Sequence, residues 1–338
     1  MKYPKFLKEG DRIGVPAPSD GAKDKFKKNK FKHSIKYFEN NNYKVTISDN
    51  LYNSEKGRSS DPKTRGLEIN NMFKDKNIDF LICAAGGDFL IECLPYVDFD
   101  IIKNNPKFIV GFSDPTGLLF PITTKLDIAT IYGSNFASFG EENFYKCHYD
   151  FLDTIKGDLK GLTSYDLYEN ERSEKITGLE GLNLTEKVEW KSLDNKDIKV
   201  EGRIIGGCFD LISELIGTKY DGISEFNEKY KNDGIIWYFD NCELSMEETI
   251  RVLWKMNEYD YFKYTKLIIF GRFGVETSCY DYDVKSCLKD SILSKLNIPV
   301  IYDADVSHKG PSLPIINGSI AHIDYSKGKC KLFYTLDK

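Results

Sequence analysis

Apolar positions along the first 150 residues come in two rhythms. Short continuous runs of strand length fall at Arg12–Val15, Tyr43–Ile47, Asp79–Ala84, Lys107–Gly111 and Ile128–Tyr132. Between them lie stretches with helical spacing: about 25–41, Pro62–Lys74, where Leu67, Ile69, Met72 and Phe73 recur on one face, and Phe89–Tyr96. Leu118, Leu119 and Phe120 open another helix. Strand and helix alternate, and Gly follows several of the strands, so the pattern predicts a parallel sheet with helices on both faces. Ligands of such sheets bind beyond the carboxyl ends of the strands. Ala84–Asp88 and Gly111–Asp114 both fall at that edge.

Residues 151–199 are richer in charge and Asn and weakly periodic, and read as a connection between an N-terminal domain (1–150) and a C-terminal domain (200–338). The second domain predicts a helix over Cys208–Gly217, a strand over Gly234–Phe239 and a helix over Glu247–Met256. A strand over Lys266–Phe270, a helix over Asp283–Leu296 and a strand over Pro299–Ala304 follow, and a closing pair spans Ser319–Tyr325 and Lys331–Tyr334. The fold class expected is α/β: an N-terminal parallel α/β/α domain and a smaller C-terminal α/β domain.

At 338 residues, 41% apolar and 29% charged, the composition is that of a globular protein of two domains. The net charge of −5 offers no basic footprint, so no nucleic-acid partner is expected. The Lys-rich run Lys23–Lys32 reads as the solvated face of a helix. No stretch approaches a membrane span or a signal peptide, so a cytoplasmic protein with no membrane partner is expected. The eight cysteines form no CxxC pair, which removes the usual sign of a zinc knuckle or redox dithiol.

Candidate chemistry begins at KFIVGFSDPTGLLF, residues 107–120. Ser113 sits where a buried strand turns sharply into a helix. Such a turn lifts a hydroxyl clear of the sheet and leaves backbone N–H groups free to meet an oxyanion. The same features also suit a plain helix N-cap. Of the four histidines, His33 lies in a Lys-rich helix and His148 in a polar stretch, both read as solvated, and nothing near His322 suggests a role. His308 follows a strand and opens a Gly/Pro loop, a placement suited to a general base. An acid is then needed to orient the ring. Asp240 ends the strand IIWYF, and Glu243 stands three residues later as the alternative acid. Asp240 or Ser245 could equally cap the following helix. Trp190, on the connecting segment, could wall a ligand cleft or pack into the core.

These segments together resemble the LD-carboxypeptidases, the serine peptidase family that includes the microcin C immunity proteins. The likeness is carried by LKEGDRIGVPAPSD, by Arg65 to Asp100 ending in AAGGDFLIECLPYVDFD, and by GFSD, GRIIGG and HKGPSLPIING, in that order. The resemblance implies Ser113 as nucleophile and His308 as general base. It implies an oxyanion hole from the N–H groups of Asp114, Gly86 and Gly87, with no metal and no cofactor. It implies a cleft between two domains, a homodimer, and a small peptide or peptide-nucleotide substrate. The bond cut would be an amide next to a free carboxylate, either L-Lys/meso-diaminopimelate to D-Ala in murein tetrapeptide or the aspartyl-nucleotide link of microcin C-like toxins. Two positions depart from the family pattern. Asp240 stands where the family has Glu, about 1.5 Å shorter in reach, and Cys208 stands where Asn is usual. The shorter acid leaves open a weak or inactive relative that only binds peptides or nucleotides.

Overall fold

The computed structural model describes residues 1–337, which divide into two compact units. Unit 1 comprises Met1–Asp158 with Arg172–Leu182, and unit 2 comprises Leu159–Glu171 with Asn183–Lys338. The C-terminal unit is therefore no smaller than the N-terminal one. Nor is 151–199 a simple connection, because its parts bond to different units. Asn29 Nδ2 donates to the Thr177 carbonyl (3.0 Å) and Tyr145 Oη to that of Leu182 (3.2 Å), which attaches 172–182 to unit 1. In unit 2, Glu169 N–H donates to the Gly310 carbonyl at 2.7 Å.

In unit 1 the strands are β1 (Arg12–Val15), β2 (Lys44–Ile47), β3 (Phe80–Ile82), β4 (Ile109–Gly111) and β5 (Thr130–Tyr132). They lie in the order β5-β4-β3-β1-β2, and all their pairings are parallel. The helices are α1 (Lys25–Asn40), α2 (Pro62–Lys74), α3 (Phe99–Asn104), α4 (Thr116–Leu126) and α5 (Lys146–Lys156). β3, β4 and β5 are buried throughout, as runs covered on both faces require. Asp24 and Asp61 cap α1 and α2 through side-chain bonds to the first-turn N–H groups, and Pro62 opens α2. The expected helix over Phe89–Tyr96 is a 3-10 helix, Leu90–Tyr96, and Pro95 inside it has no N–H to extend an α-helical ladder.

Unit 2 carries the short strands β6 (Leu162–Thr163), β7 (Leu167–Tyr168), β8 (Glu186–Lys187) and β9 (Lys191–Ser192), followed by the long β10 (Ile198–Cys208). β11 (Ile235–Asp240), β12 (Thr265–Gly271), β13 (Val300–Ala304), β14 (Ile315–Asn317), β15 (Ile320–Ser326) and β16 (Lys329–Thr335) complete the strands. Eight of them form a sheet in the order β6-β16-β15-β10-β11-β12-β13-β9. β10 changes role along its length: Ile198–Arg203 pairs antiparallel with β15, and Arg203–Cys208 pairs parallel with β11. The parallel core β10-β11-β12-β13 sends its carboxyl ends to one edge. The helices are α6 (Phe209–Leu215), α7 (Ile223–Lys229), α8 (Met246–Glu258), α9 (Val284–Asp290) and α10 (Leu293–Leu296). The single helix expected over Asp283–Leu296 is thus two, broken at Ser291, whose backbone is extended (ψ 178°). Among the described residues, no helix is long and apolar enough to cross a membrane.

Candidate active site

In unit 1 the chain passes from one side of the sheet to the other between β1 and β3, the kind of switch point beyond which ligands of parallel sheets bind. Ser113 follows β4 at this edge. Its φ is +70°, a region an L-residue enters only when its surroundings hold it there. The turn is tight: a Cβ at Gly111 would lie 2.3 Å from Pro115 Cβ, so only glycine lets the strand bend back on the proline. Asn135 clamps the preceding residue, accepting from Phe112 N–H (3.0 Å) and donating to its carbonyl (3.1 Å). The result is a half-buried serine on a strained strand-to-helix turn.

Gly86 lies against this turn, where an added Cβ would stand 3.1 Å from Ser113 Cβ and 3.5 Å from its Oγ. A Cβ on Gly87 would meet Asp20 N at 3.1 Å and Ser19 Cβ at 3.2 Å, so this loop also touches the end of β1. Of this glycine pair, Gly86 is the one that faces Ser113, and Gly87 faces the end of β1. Buried Arg65 ties the loops together. Its Nη1 donates to the Pro18 carbonyl (2.7 Å) and the Phe89 carbonyl (3.0 Å), and its Nη2 to Glu92 (2.9 Å). Asp114 is fully buried and accepts from Leu90 N–H at 2.9 Å. Burial pushes its carboxyl up to about 6, against the pull of Ser19 and the Leu90 N–H.

In unit 2, Asp240 is the last residue of β11 and pairs in register with Cys208 of β10. It is 0% exposed. Its Oδ1 accepts from His308 Nδ1 at 2.9 Å and from the His308 backbone N–H at 3.1 Å. The double bond answers how the shorter acid reaches the ring: the loop carrying His308 closes onto the carboxylate with its backbone as well as its side chain. Glu243 is exposed, and its N–H donates to Asp210 Oδ1 at 2.8 Å. Asp240, not Glu243, is the carboxylate bonded to His308. Burial alone would lower the imidazole, but the Asp240 charge and hydrogen bond, with the Cys242 thiol beside the ring, lift it to about 10.

Trp190 is 2% exposed, and its Nε1–H donates to Asp305 Oδ2 at 3.0 Å. An indole so enclosed belongs to the core of unit 2 and offers no open face to a ligand. His148 is also buried rather than solvated, at 3% exposure. It stacks on Phe144 (centroids 4.6 Å apart), and its Nε2 lies 3.3 Å from Glu141. His33 is exposed, and His322 bonds Thr335. Burial pushes the Cys83 and Cys208 thiols up, away from thiolate character. Sequence reasoning missed Arg272 and Asp305, an ion pair of 2.5 Å at the carboxyl ends of β12 and β13; the Gly271-Arg272 step after an apolar strand was the available signal. Beside them a polar cleft of about 700 Å³ opens in unit 2, lined by Tyr168, Lys191, Arg272, Glu276, Asp303 and Lys309 among others.

The description of the LD-carboxypeptidase N-terminal domain matches residues 13–133, and that of the C-terminal domain matches residues 201–323. The chain belongs to the LD-carboxypeptidase family. Family membership makes it a peptidase-type hydrolase; the first matched segment contains Ser113, and the second contains Asp240 and His308. The chain is similar to the microcin C7 self-immunity protein MccF of Escherichia coli, 28% identical over 325 residues that span 94% of this chain and 92% of that protein. The two-domain fold is shared with MccF solved in complex with aspartyl sulfamoyl adenosine (TM-score 0.81, 24% identity, 98% of each chain). It is shared too with muramoyltetrapeptide carboxypeptidase from Oxalobacter formigenes (TM-score 0.74, 19% identity, 96% of this chain and 99% of that one).

Proposed function

We propose that the protein is a serine carboxypeptidase that hydrolyses an amide bond next to a free carboxylate, with murein tetrapeptide as substrate. The observation that carries the reading is the Asp240–His308 pair, an imidazole held at Nδ1 by a buried carboxylate and so presenting Nε2 to a nucleophile. Ser113 Oγ attacks the amide carbonyl carbon as its proton passes to His308 Nε2. The N–H groups of Asp114, Gly86 and Gly87 receive the negative charge on the carbonyl oxygen. The C–N bond breaks, and the imidazolium returns its proton to the departing D-alanine nitrogen. Water, deprotonated by the same ring, then attacks the ester carbonyl; the ester C–O bond breaks, the imidazolium returns its proton to Ser113 Oγ, and the shortened peptide leaves as its carboxylic acid.

The likeness to MccF supports a second reading, hydrolysis of an aminoacyl-nucleotide such as the aspartyl sulfamoyl adenosine bound in that relative. Trp190 has no part in either reading, being enclosed. Separate incubation with murein tetrapeptide and with aspartyl sulfamoyl adenosine distinguishes the two by which one yields D-alanine or aspartate. Release of neither, under conditions where a known family enzyme acts on both, overturns the proposal in favour of a binding relative.

A further inference from the structure

Three residues separate β13 from His308: Asp305, Val306 and Ser307, all buried. Arg272, at the end of the neighbouring β12, is 5% exposed and spends its guanidinium on this loop. Its Nη1 donates to Asp305 Oδ1 at 2.5 Å. Its Nε and Nη2 donate to the Lys309 carbonyl at 3.1 and 2.8 Å, and Nη2 also reaches the Pro311 carbonyl at 3.1 Å. The Arg272 carbonyl accepts from Ser307 Oγ at 2.6 Å. One residue thus grips the chain on both sides of His308. Asp305 is anchored in turn: its Oδ2 accepts from Trp190 Nε1 (3.0 Å) and Tyr165 N–H (2.8 Å). The Tyr168 ring covers the guanidinium, 4.6 Å from its centroid.

We propose that Arg272 and Asp305 are positioning residues for the general base, a buried ion pair that sets the His308 loop so that the backbone and ring of His308 both meet Asp240. This rests on the reading of His308 as the base. The loop is buried, so its carbonyls need donors, and one fixed guanidinium that supplies them also sets where His308 sits. That position matters to catalysis, because a displacement of about 1 Å at a reacting group lowers rates by orders of magnitude. The planar fork of Arg fits two carbonyls and a carboxylate at once, and a Lys ammonium cannot.

The test uses the full chain with Arg272→Lys, and with Arg272→Met/Asp305→Leu, which leaves no unpaired charge buried. Far-UV circular dichroism and thermal melting confirm that each variant is folded. Imidazole NMR gives the His308 titration midpoint, and murein tetrapeptide hydrolysis gives kcat and KM. Folded variants are expected to move the midpoint from its raised position toward 6.5 and to lower kcat about tenfold or more with little change in KM. An unmoved midpoint and unchanged kcat in either folded variant overturn the inference. The midpoint is readable without turnover, so it judges the positioning role even if the peptide is not cleaved.

Discussion

Replacing Asp240 by Asn removes the charge beside His308 while keeping an oxygen that can accept from Nδ1. Two unit charges with centres about 4 Å apart, at an effective dielectric constant of about 20, interact by about 4 kcal/mol. At about 1.4 kcal/mol per pKa unit, that is roughly 3 units. The lift of the imidazole from 6.5 to about 10 is of this size, so the carboxylate accounts for it and burial works against it. In Asp240→Asn burial and the Cys242 thiol remain, and the midpoint is expected to fall by about 3 units, to about 7. If the proposed triad operates, losing the acid also costs the ring its preferred tautomer, and kcat is expected to drop about 10³–10⁴-fold. The assays are imidazole NMR against pH and the pH dependence of kcat/KM. The wild-type acid limb is expected to lie above 6.5, because the base must shed its proton before it can act. Stability carries the same sign. The raised imidazole contributes fully below pH 6.5, and its contribution disappears as pH rises toward 10, so wild-type melting should fall over that window more steeply than that of the Asn variant. A midpoint that does not move in Asp240→Asn would refute the electrostatic account of the pair.

Asp240→Glu adds a methylene where the carboxylate is already 2.9 Å from the ring and 0% exposed, so kcat should fall about tenfold; a rise from near zero would instead mark the natural protein as a binder. Gly86→Ala should reduce kcat/KM by about tenfold or more with little change in melting temperature, because the new methyl stands 3.1 Å from Ser113 Cβ and 3.5 Å from its Oγ. Ser113→Gly should abolish turnover yet hold or raise stability in urea titrations by about 1 kcal/mol, since glycine accepts φ +70° without strain.

Much of this was legible before any coordinates. The apolar run Phe108–Val110 followed by Gly111 and Pro115 can hardly be read except as a buried strand turning sharply, and Ser113 stands where that turn is strained. Other features depend on contacts remote in sequence. Asp240 and Glu243 are three residues apart at the end of one strand, and which one meets His308 is decided by a loop 68 residues away. Trp190 lies in a charged segment, and only its bond to Asp305, 115 residues on, shows that it is core. His148 looks solvated among polar neighbours, but Phe139 and Phe144 close over it. Arg272 follows an apolar strand as many exposed arginines do, and what buries it is a loop 37 residues away.

The central claim is that the hydroxyl of Ser113 is a nucleophile driven by His308. Peptide mapping by mass spectrometry after treatment with a fluorophosphonate tests it most directly. The account expects one adduct, on Ser113, that forms much more slowly in His308→Asn and is absent in Ser113→Ala. An enzyme that hydrolyses its substrate yet carries the adduct elsewhere, or labels equally fast without the imidazole, would contradict it.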